Sequence, residues 1–295
     1  MIIVRLIGGM GNQMFQYALG RALSLENSTE LFLDIQRLID HKKSLVNKKF
    51  VYRNFDLDMF FINAKIAKRK DIPLTRRVFG NATMKDVLYI LSQKIFKNRY
   101  KEKHFHFDPE ILNAKGDVYL DGYWQSYKYF DKYADVIRKD FQVIVPLSEE
   151  IKNLGKEISS TKSLCVHIRR GDFVGNAFHN VLTENYHEDA FKIISENNII
   201  EKIYVFSDDI EWCKENIQFP IETMYVDRLF AGERGVGHFW LMTQCNHFII
   251  PNSTFSWWAA WLSERAGKQV VAPKKWLAND YFNYKDMYPS DWVSI

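Results

Sequence analysis

Cysteine is scarce in this chain, long apolar runs are missing, and no recognisable metal-ligand spacing occurs. Three cysteines, Cys165, Cys213 and Cys245, sit in apolar patterns without CxxC spacing. That excludes a disulfide framework or metal cluster as an organising principle, and the thiols read as reduced core residues of a cytoplasmic protein. No apolar stretch approaches the roughly 18 residues of a membrane span, which excludes an integral helical membrane protein. Met1 leads straight into IIVRLIGG with no basic lead and no cleavage site, so the chain is expected to start at its first strand. The glycosylation-type triplets at Asn27, Asn81 and Asn252 carry no weight in that compartment.

Charge is present but unevenly spread. Lys65 to Lys103 holds 12 basic and 3 acidic residues, about +9, so against a total of +4 the remainder is near −5. Within that stretch Met84, Val87, Leu88, Leu91 and Ile95 fall at helical spacing with Lys85, Lys94 and Lys97 between them, which predicts a basic amphipathic helix. Such a helix is either a solvated outer face or a contact with a polyphosphate-linked acceptor or an anionic membrane, here the inner face of the cytoplasmic membrane. Nucleic acid is not expected as a partner, because no recognised binding motif accompanies the charge. Aromatic residues are abundant at 15%, which suits either core packing or stacking on sugars and bases.

The most informative stretch is Ser163 to Phe173, SLCVHIRRGDF. Leu164, Val166 and Ile168 alternate with Cys165 and His167, as expected for an interior strand of a parallel sheet. Its polar residues come at the carboxyl end, where open α/β sheets bind ligands, and Gly171 allows a sharp turn. Arg169 and Arg170 present planar forks that match phosphate or carboxylate oxygens in pairs. One is expected to face an anionic ligand and the other to be held structurally by Asp172 or other acids.

From the N-terminus, Ile2 to Ile7 forms a strand that breaks at Gly8, Gly9 and Gly11, and NQMFQYALGRALSLEN continues as a helix. That layout sets a helix start against a phosphate. A dinucleotide site is disfavoured because Met14 fills the place where the GxGxxG frame needs a small residue, although Asp34 ends the next strand where a ribose-binding acid would fall. Asn12 and Gln13 are polar at the helix start, either facing a cleft or capping it. The DLD triplet at Asp56 and Asp58 lacks the further oxygen ligands a metal-nucleotide site needs. DVYLDGYWQSYKYF, from Asp117 to Phe130, ends with Tyr123, Trp124, Gln125, Ser126 and Tyr127 around a glycine turn. This group is either able to stack on and hydrogen-bond a sugar or part of the core.

Length and pattern suggest two domains, 1–150 and 151–295, joined near Pro146 and the charged helix that follows. Beyond it, SLCVHIRR, KIYVFSDD, ETMYV, HFIIP and QVVAP read as strands. Glu184 to Glu196, Ile210 to Asn216, Phe239 to Cys245 and Thr254 to Arg265 read as the intervening helices. Such alternation means a doubly wound, mainly parallel sheet. His167 to Asp172, Ser207 to Asp209 and Asn252 to Ser256 then share one sheet edge, the last of them starting a helix. Arginines opposite a hydroxyl-rich helix start make a metal-free pyrophosphate clamp.

GGMGNQMFQYALGRAL, GYWQSYKYF, VHIRRGDF, YVFSDD and NSTFSWWAAWL, in that order between residue 8 and about 262, resemble the bacterial α-1,2-fucosyltransferases of glycosyltransferase family 11. The resemblance implies an α/β, GT-B-like pair of Rossmann-like domains facing a cleft, the N-terminal one on the acceptor side and the C-terminal one binding the donor. It also implies GDP-L-fucose as donor, no metal or other cofactor, and inverting transfer to the 2-hydroxyl of a terminal galactose-type sugar on an O-antigen, oligosaccharide or lipid-linked glycan. By position it assigns Arg169 to the pyrophosphate, His167 and Asp172 to the same donor motif, and Asp208 and Asp209 to the nucleotide. Ser253, Thr254 and Ser256 fall on the phosphate or ribose side, and Asn12 and Gln13 meet the transferred sugar; from the residues themselves Asn252 joins the donor-side helix start, and Trp124 and Gln125 join Gln13 as expected acceptor contacts. His238 stands where related enzymes commonly carry an acid, a departure at the nucleoside contact. Asp172 is the carboxylate expected to take the acceptor proton or to orient Arg169. The open alternatives are a transferase of another nucleotide sugar and a non-catalytic carbohydrate-binding protein.

Overall fold

A computed structural model describes residues 1–38, 53–72, 98–171, 181–278 and 283–295. Asp172 and the basic stretch from Met84 to Lys97 lie outside the described residues. The chain divides into two compact units, Met1–Phe141 and Gln142–Ile295.

The first unit runs β1 (Ile2–Arg5), α1 (Met10–Glu26), β2 (Leu31–Asp34), β3 (Lys65–Ile66), β4 (Asn98–Lys101), β5 (Val118–Asp121) and α2 (Ala134–Asp140). Its sheet has the order β3-β2-β1-β5-β4, and each pairing is parallel. Ile2, Ile3 and Val4 are fully buried, as a central strand covered on both faces requires. Helix α1 packs with Met14, Phe15, Tyr17, Ala18 and Leu19 wholly buried, and it approaches the sheet most closely at Gly20, where a Cβ would stand 2.3 Å from the Val4 side chain. Asp34 is committed within the core as well. Its Oδ2 accepts from the Tyr119 hydroxyl at 2.7 Å and its Oδ1 from the Gln36 N–H at 3.0 Å. Asp140 ties α2 to α1 by accepting from the Tyr17 hydroxyl at 2.6 Å and Arg21 Nε at 2.8 Å.

The second unit alternates regularly: α3 (Glu149–Ser160), β6 (Ser163–Ile168), α4 (Tyr186–Asn197), β7 (Lys202–Ser207), α5 (Ile210–Asn216), β8 (Thr223–Tyr225), α6 (Val236–Thr243), β9 (His247–Ile249), α7 (Thr254–Leu262), β10 (Val270–Ala272) and β11 (Val293–Ser294). The sheet order is β11-β10-β9-β6-β7-β8, again with parallel pairings. Alternation along β6 assigns its two faces. Leu164, Val166 and Ile168 join Tyr186, Ala190 and Ile194 of α4 and Ile210 and Cys213 of α5 in one core. On the other face His167 lies 5.8 Å from the Phe255 ring of α7, and Phe206 of β7 lies 5.6 Å from the His238 ring of α6. Helices therefore cover both faces, and the sheet is doubly wound.

Ser148 caps α3 by accepting from the Ile151 N–H, with Glu149 and Glu150 in the first turn. Helix α7 stops at Leu262, short of the Arg265 suggested by the apolar pattern. Lys268 Nζ donates to the carbonyls of Ala260 and Ser263, both at 2.6 Å, and satisfies acceptors that another turn would have used.

Candidate active site

Strand order locates the ligand-binding edges. In the second unit the chain runs outward from β6 through β7 to β8, then returns beside β6 with β9 and runs outward the other way. The switch point lies between β6 and β9, and open α/β sheets bind ligands outside the strand ends at such points. Arg169 to Gly171 leave β6 there, and Asn252 to Thr254 lead from β9 into α7. The first unit has its switch point between β1 and β5, flanked by the turn into α1 and by Gly122 to Gln125.

The turn after β6 is built around Asp208, which follows β7. Its Oδ1 accepts the Arg170 N–H at 2.9 Å, and its Oδ2 accepts the Gly171 N–H at 3.1 Å and meets Arg169 Nη1 at 2.8 Å. A Cβ at Gly171 would stand 2.6 Å from that Oδ2, so only glycine lets the backbone approach the carboxylate this closely. Arg170 turns away: its Nε pairs with Asp209 Oδ2 at 3.0 Å, and its guanidinium lies 3.6 Å over the Trp212 ring. Both arginines are partly accessible, Arg169 meeting Asp208 and Arg170 pairing with Asp209 beneath its contact with Trp212. Their acid partners are Asp208 and Asp209.

On the α7 side, Ser253 and Thr254 are partly exposed at the helix start, and the first turn carries no acid. Ser256 differs from the expected ligand-lining role. Ser256 is fully buried and its hydroxyl donates to the Ser253 carbonyl at 3.2 Å. Asn252 is buried with Nδ2 donating to the Trp276 carbonyl at 2.8 Å. His238 is buried too, with Nε2 2.9 Å from the Asp227 carbonyl oxygen, and burial lowers its pKa.

Burial, reinforced by the Arg169 charge, lowers the His167 pKa from 6.5 to about 3, and burial lowers that of His187 to about 4. His167 Nδ1 and His187 Nε2 have no hydrogen-bond partner among the described residues. Both rings are neutral when folded, whereas the unfolded chain protonates them below about pH 6.5. Their contribution to stability is therefore complete above that pH and is lost as pH falls towards 4 and 3, by about 1.4 kcal/mol per pH unit for each ring. Denaturant midpoints measured from pH 7 to 4.5 are expected to fall less steeply in His167→Asn than in the wild type. Equal slopes in the two proteins would mean that His167 does not stay neutral in the fold.

In the first unit, three amides of α1 fasten the surrounding turns. Asn12 Oδ1 accepts from Gln125 Nε2 at 2.7 Å, across the switch point. Gln13 is fully buried, donating to the carbonyls of Gly8 at 3.0 Å and Asn54 at 2.7 Å and accepting from the Asp56 N–H at 3.0 Å. Gln13 thus holds the 54–56 loop and does not present its amide to a ligand as expected. Gln16, which the sequence reading passed over, accepts the Ile7 N–H at 3.0 Å and donates to the carbonyls of Ile7 and Gly122, both at 3.2 Å. Trp124 also departs from expectation. Only 1% exposed and set edge-on to Tyr129 at 5.8 Å, it is core and not a sugar platform. Arg53 approaches the glycine turn, its guanidinium 3.8 Å from where a Gly9 Cβ would stand. Among the described residues no group of three or more His, Cys, Asp or Glu is arranged to hold a metal ion, and no helix is long and apolar enough to cross a membrane.

Two parallel-sheet units, one of them carrying an arginine and a helix start at its switch point, place the chain in the GT-B-like α/β fold class. The sequence pattern of glycosyl transferase family 11 matches residues 1–295, and the chain belongs to that family. It is 33% identical to an α-1,2-colitosyltransferase of Escherichia coli, over 100% of this chain and 98% of that protein. It is 30% identical to the O-antigen biosynthesis glycosyltransferase WbnK of Escherichia coli, over 98% and 99% respectively. The fucosyltransferase NodZ from Bradyrhizobium shares the fold with a TM-score of 0.52 at 14% identity, over 88% of this chain and 90% of that one.

Proposed function

We propose that this chain is an inverting, metal-independent transferase that moves L-fucose from GDP-L-fucose to the 2-hydroxyl of a terminal galactose-type sugar in O-antigen or oligosaccharide synthesis. The observation that carries the reading is Arg169, accessible at the end of the central strand β6 and flanking the same switch point as the start of α7. Donor binding falls to the second unit and acceptor binding to the first. The acceptor oxygen forms the new bond to the anomeric carbon from the face opposite the phosphate. The sugar-phosphate bond breaks with its electron pair leaving on GDP, and the acceptor hydroxyl loses its proton. Charge thus grows on the diphosphate, where the Arg169 fork and the start of α7 at Thr254 stabilise it. Arg169 supplies positive charge without a divalent ion. A dissociative transition state needs only a weak or late proton acceptor, a role Asp172 fits by sequence position.

A second reading is favoured by the full-length similarity to a colitosyltransferase: the transferred sugar is colitose. Incubating the enzyme with either GDP-sugar and a β-galactoside, and assigning the product linkage by NMR, decides between the two. Donor binding itself is tested with GDP in excess chelator. GDP at about 100 times its dissociation constant is expected to stabilise the protein by roughly 2.7 kcal/mol, read as a rise in melting temperature. A protein whose melting temperature ignores GDP does not use this donor class. A shift that chelator abolishes and manganese restores would overturn the metal-free clamp.

A further inference from the structure

Several restraints converge on one short turn of the first unit. After β5 the backbone passes Gly122 and enters Trp124 at a φ of 58°, a region that a bulky L-residue rarely occupies. Glu102, just beyond β4, holds it there: Oε2 accepts the Tyr123 N–H at 2.7 Å and Oε1 the Trp124 N–H at 2.8 Å. Gly122 has no room for a side chain, since a Cβ would come within 2.4 Å of the Glu102 Cβ and 2.9 Å of the Trp124 ring. Gln16 reaches the Gly122 carbonyl from α1, and the Trp124 carbonyl accepts the Ser126 N–H at 2.9 Å. Left-handed backbone at a bulky residue costs on the order of 1–3 kcal/mol, and strain fixed from several sides clusters at ligand sites.

The consequence of that conformation is a division of side chains. Trp124 goes into the core, while the Tyr123 ring stays 40% exposed beside the switch point. Gln125 is 6% exposed and donates Nε2 to Asn12, whereas its Oε1 has no hydrogen-bond partner among the described residues. A buried amide oxygen without a donor is unfavourable, and a ligand hydroxyl is a suitable donor. The apolar C–H face of a pyranose matches an exposed phenol ring. Both Glu102 oxygens are engaged by backbone N–H groups of the turn, so this carboxylate serves the loop conformation.

We propose that this turn is the acceptor-sugar subsite, with Tyr123 the platform for a neutral pyranoside, Gln125 Oε1 the acceptor for one of its hydroxyls, and Glu102 the positioning residue that fixes both. The inference rests on the transferase reading above and specifies where the receiving sugar sits. Tyr123→Ala and Glu102→Gln are expected to raise the acceptor KM about fivefold to tenfold, the size of a lost aromatic contact. Tyr123→Phe keeps the wild-type KM. Donor KM, the GDP-induced melting shift and acceptor-free hydrolysis of the GDP-sugar stay unchanged in all three, which a general loss of structure would not allow. Saturation-transfer NMR with methyl β-galactoside gives a readout that does not depend on turnover: a signal on the wild-type chain, lost in Tyr123→Ala. An acceptor KM within about twofold of wild type in folded Tyr123→Ala overturns the subsite, as does an undiminished NMR signal or none on the wild type. If Glu102→Gln fails to fold, the exposed Tyr123 decides alone. A protein that binds the galactoside through Tyr123 but ignores GDP retains the subsite and loses the transferase reading.

Discussion

Arg169→Lys is expected to fold normally and to lose about 100-fold to 1000-fold in turnover, roughly 2.7 to 4 kcal/mol, as when one preorganised donor is removed from an anion site. Lysine keeps the positive charge but replaces a planar fork by a single ammonium, so it cannot reproduce the paired geometry that matches phosphate oxygens. The loss should appear in kcat at saturating donor, because the contact strengthens as charge leaves the sugar for the diphosphate. Arg170→Lys is the comparison. Its guanidinium pairs with Asp209 and lies over Trp212, so its replacement should lower the melting temperature more than the chemical step. A folded Arg169→Lys protein that keeps about a third or more of wild-type turnover would show that this arginine does not carry the departing charge.

Asp208→Asn is expected to reduce turnover about 10-fold to 100-fold, with a smaller effect on GDP affinity. Three donors converge on that carboxylate, from Arg169, Arg170 and Gly171. Asparagine offers one oxygen and turns an NH₂ group towards the remaining donors. Hydrogen bonds to a charged group contribute about 1.5–3 kcal/mol, and with 21% of the Asp208 side chain accessible the lower part of that range applies. Gly171→Ala should have the same phenotype by a different route, its Cβ pushing the carboxylate away. Single-turnover rates with calorimetric GDP binding check both variants. If each stays within about threefold of wild type, Asp208 does not set the geometry of Arg169.

The second unit was legible because interior parallel strands announce themselves as apolar runs, and each polar cluster follows one directly. Helix α5, Ile210–Asn216, matches the sequence reading at both ends. The partners of the arginines were not legible. Asp172 is the nearest acid in sequence, yet the carboxylate that meets the Arg170 N–H comes just after β7, 38 residues further on. Strand neighbours of that kind are set by sheet order and leave no local pattern. The first unit was harder still. Glu102 sits in the charged run KEK and acts through two backbone N–H groups, so no side-chain motif marks it. Trp124 and Tyr123 are adjacent aromatics, and the backbone angle that sends one inward and the other outward has no signature in residue type. Gln13 looks like a polar residue facing a cleft and instead binds backbone, as Gln16 does one turn on, which buried amides do when turns around them leave carbonyls unpaired.

Gln16 has a consequence for anyone recombining members of this family. Its single amide grips Ile7 and Gly122 together, so the two turns it joins form one mechanical part although 115 positions separate them in the chain. A chimera that imports residues 122–125 alone receives a loop whose anchor belongs to a different parent. The transplantable module is the loop together with positions 16 and 102, and libraries that vary the three jointly should yield more folded members than libraries that vary the loop by itself.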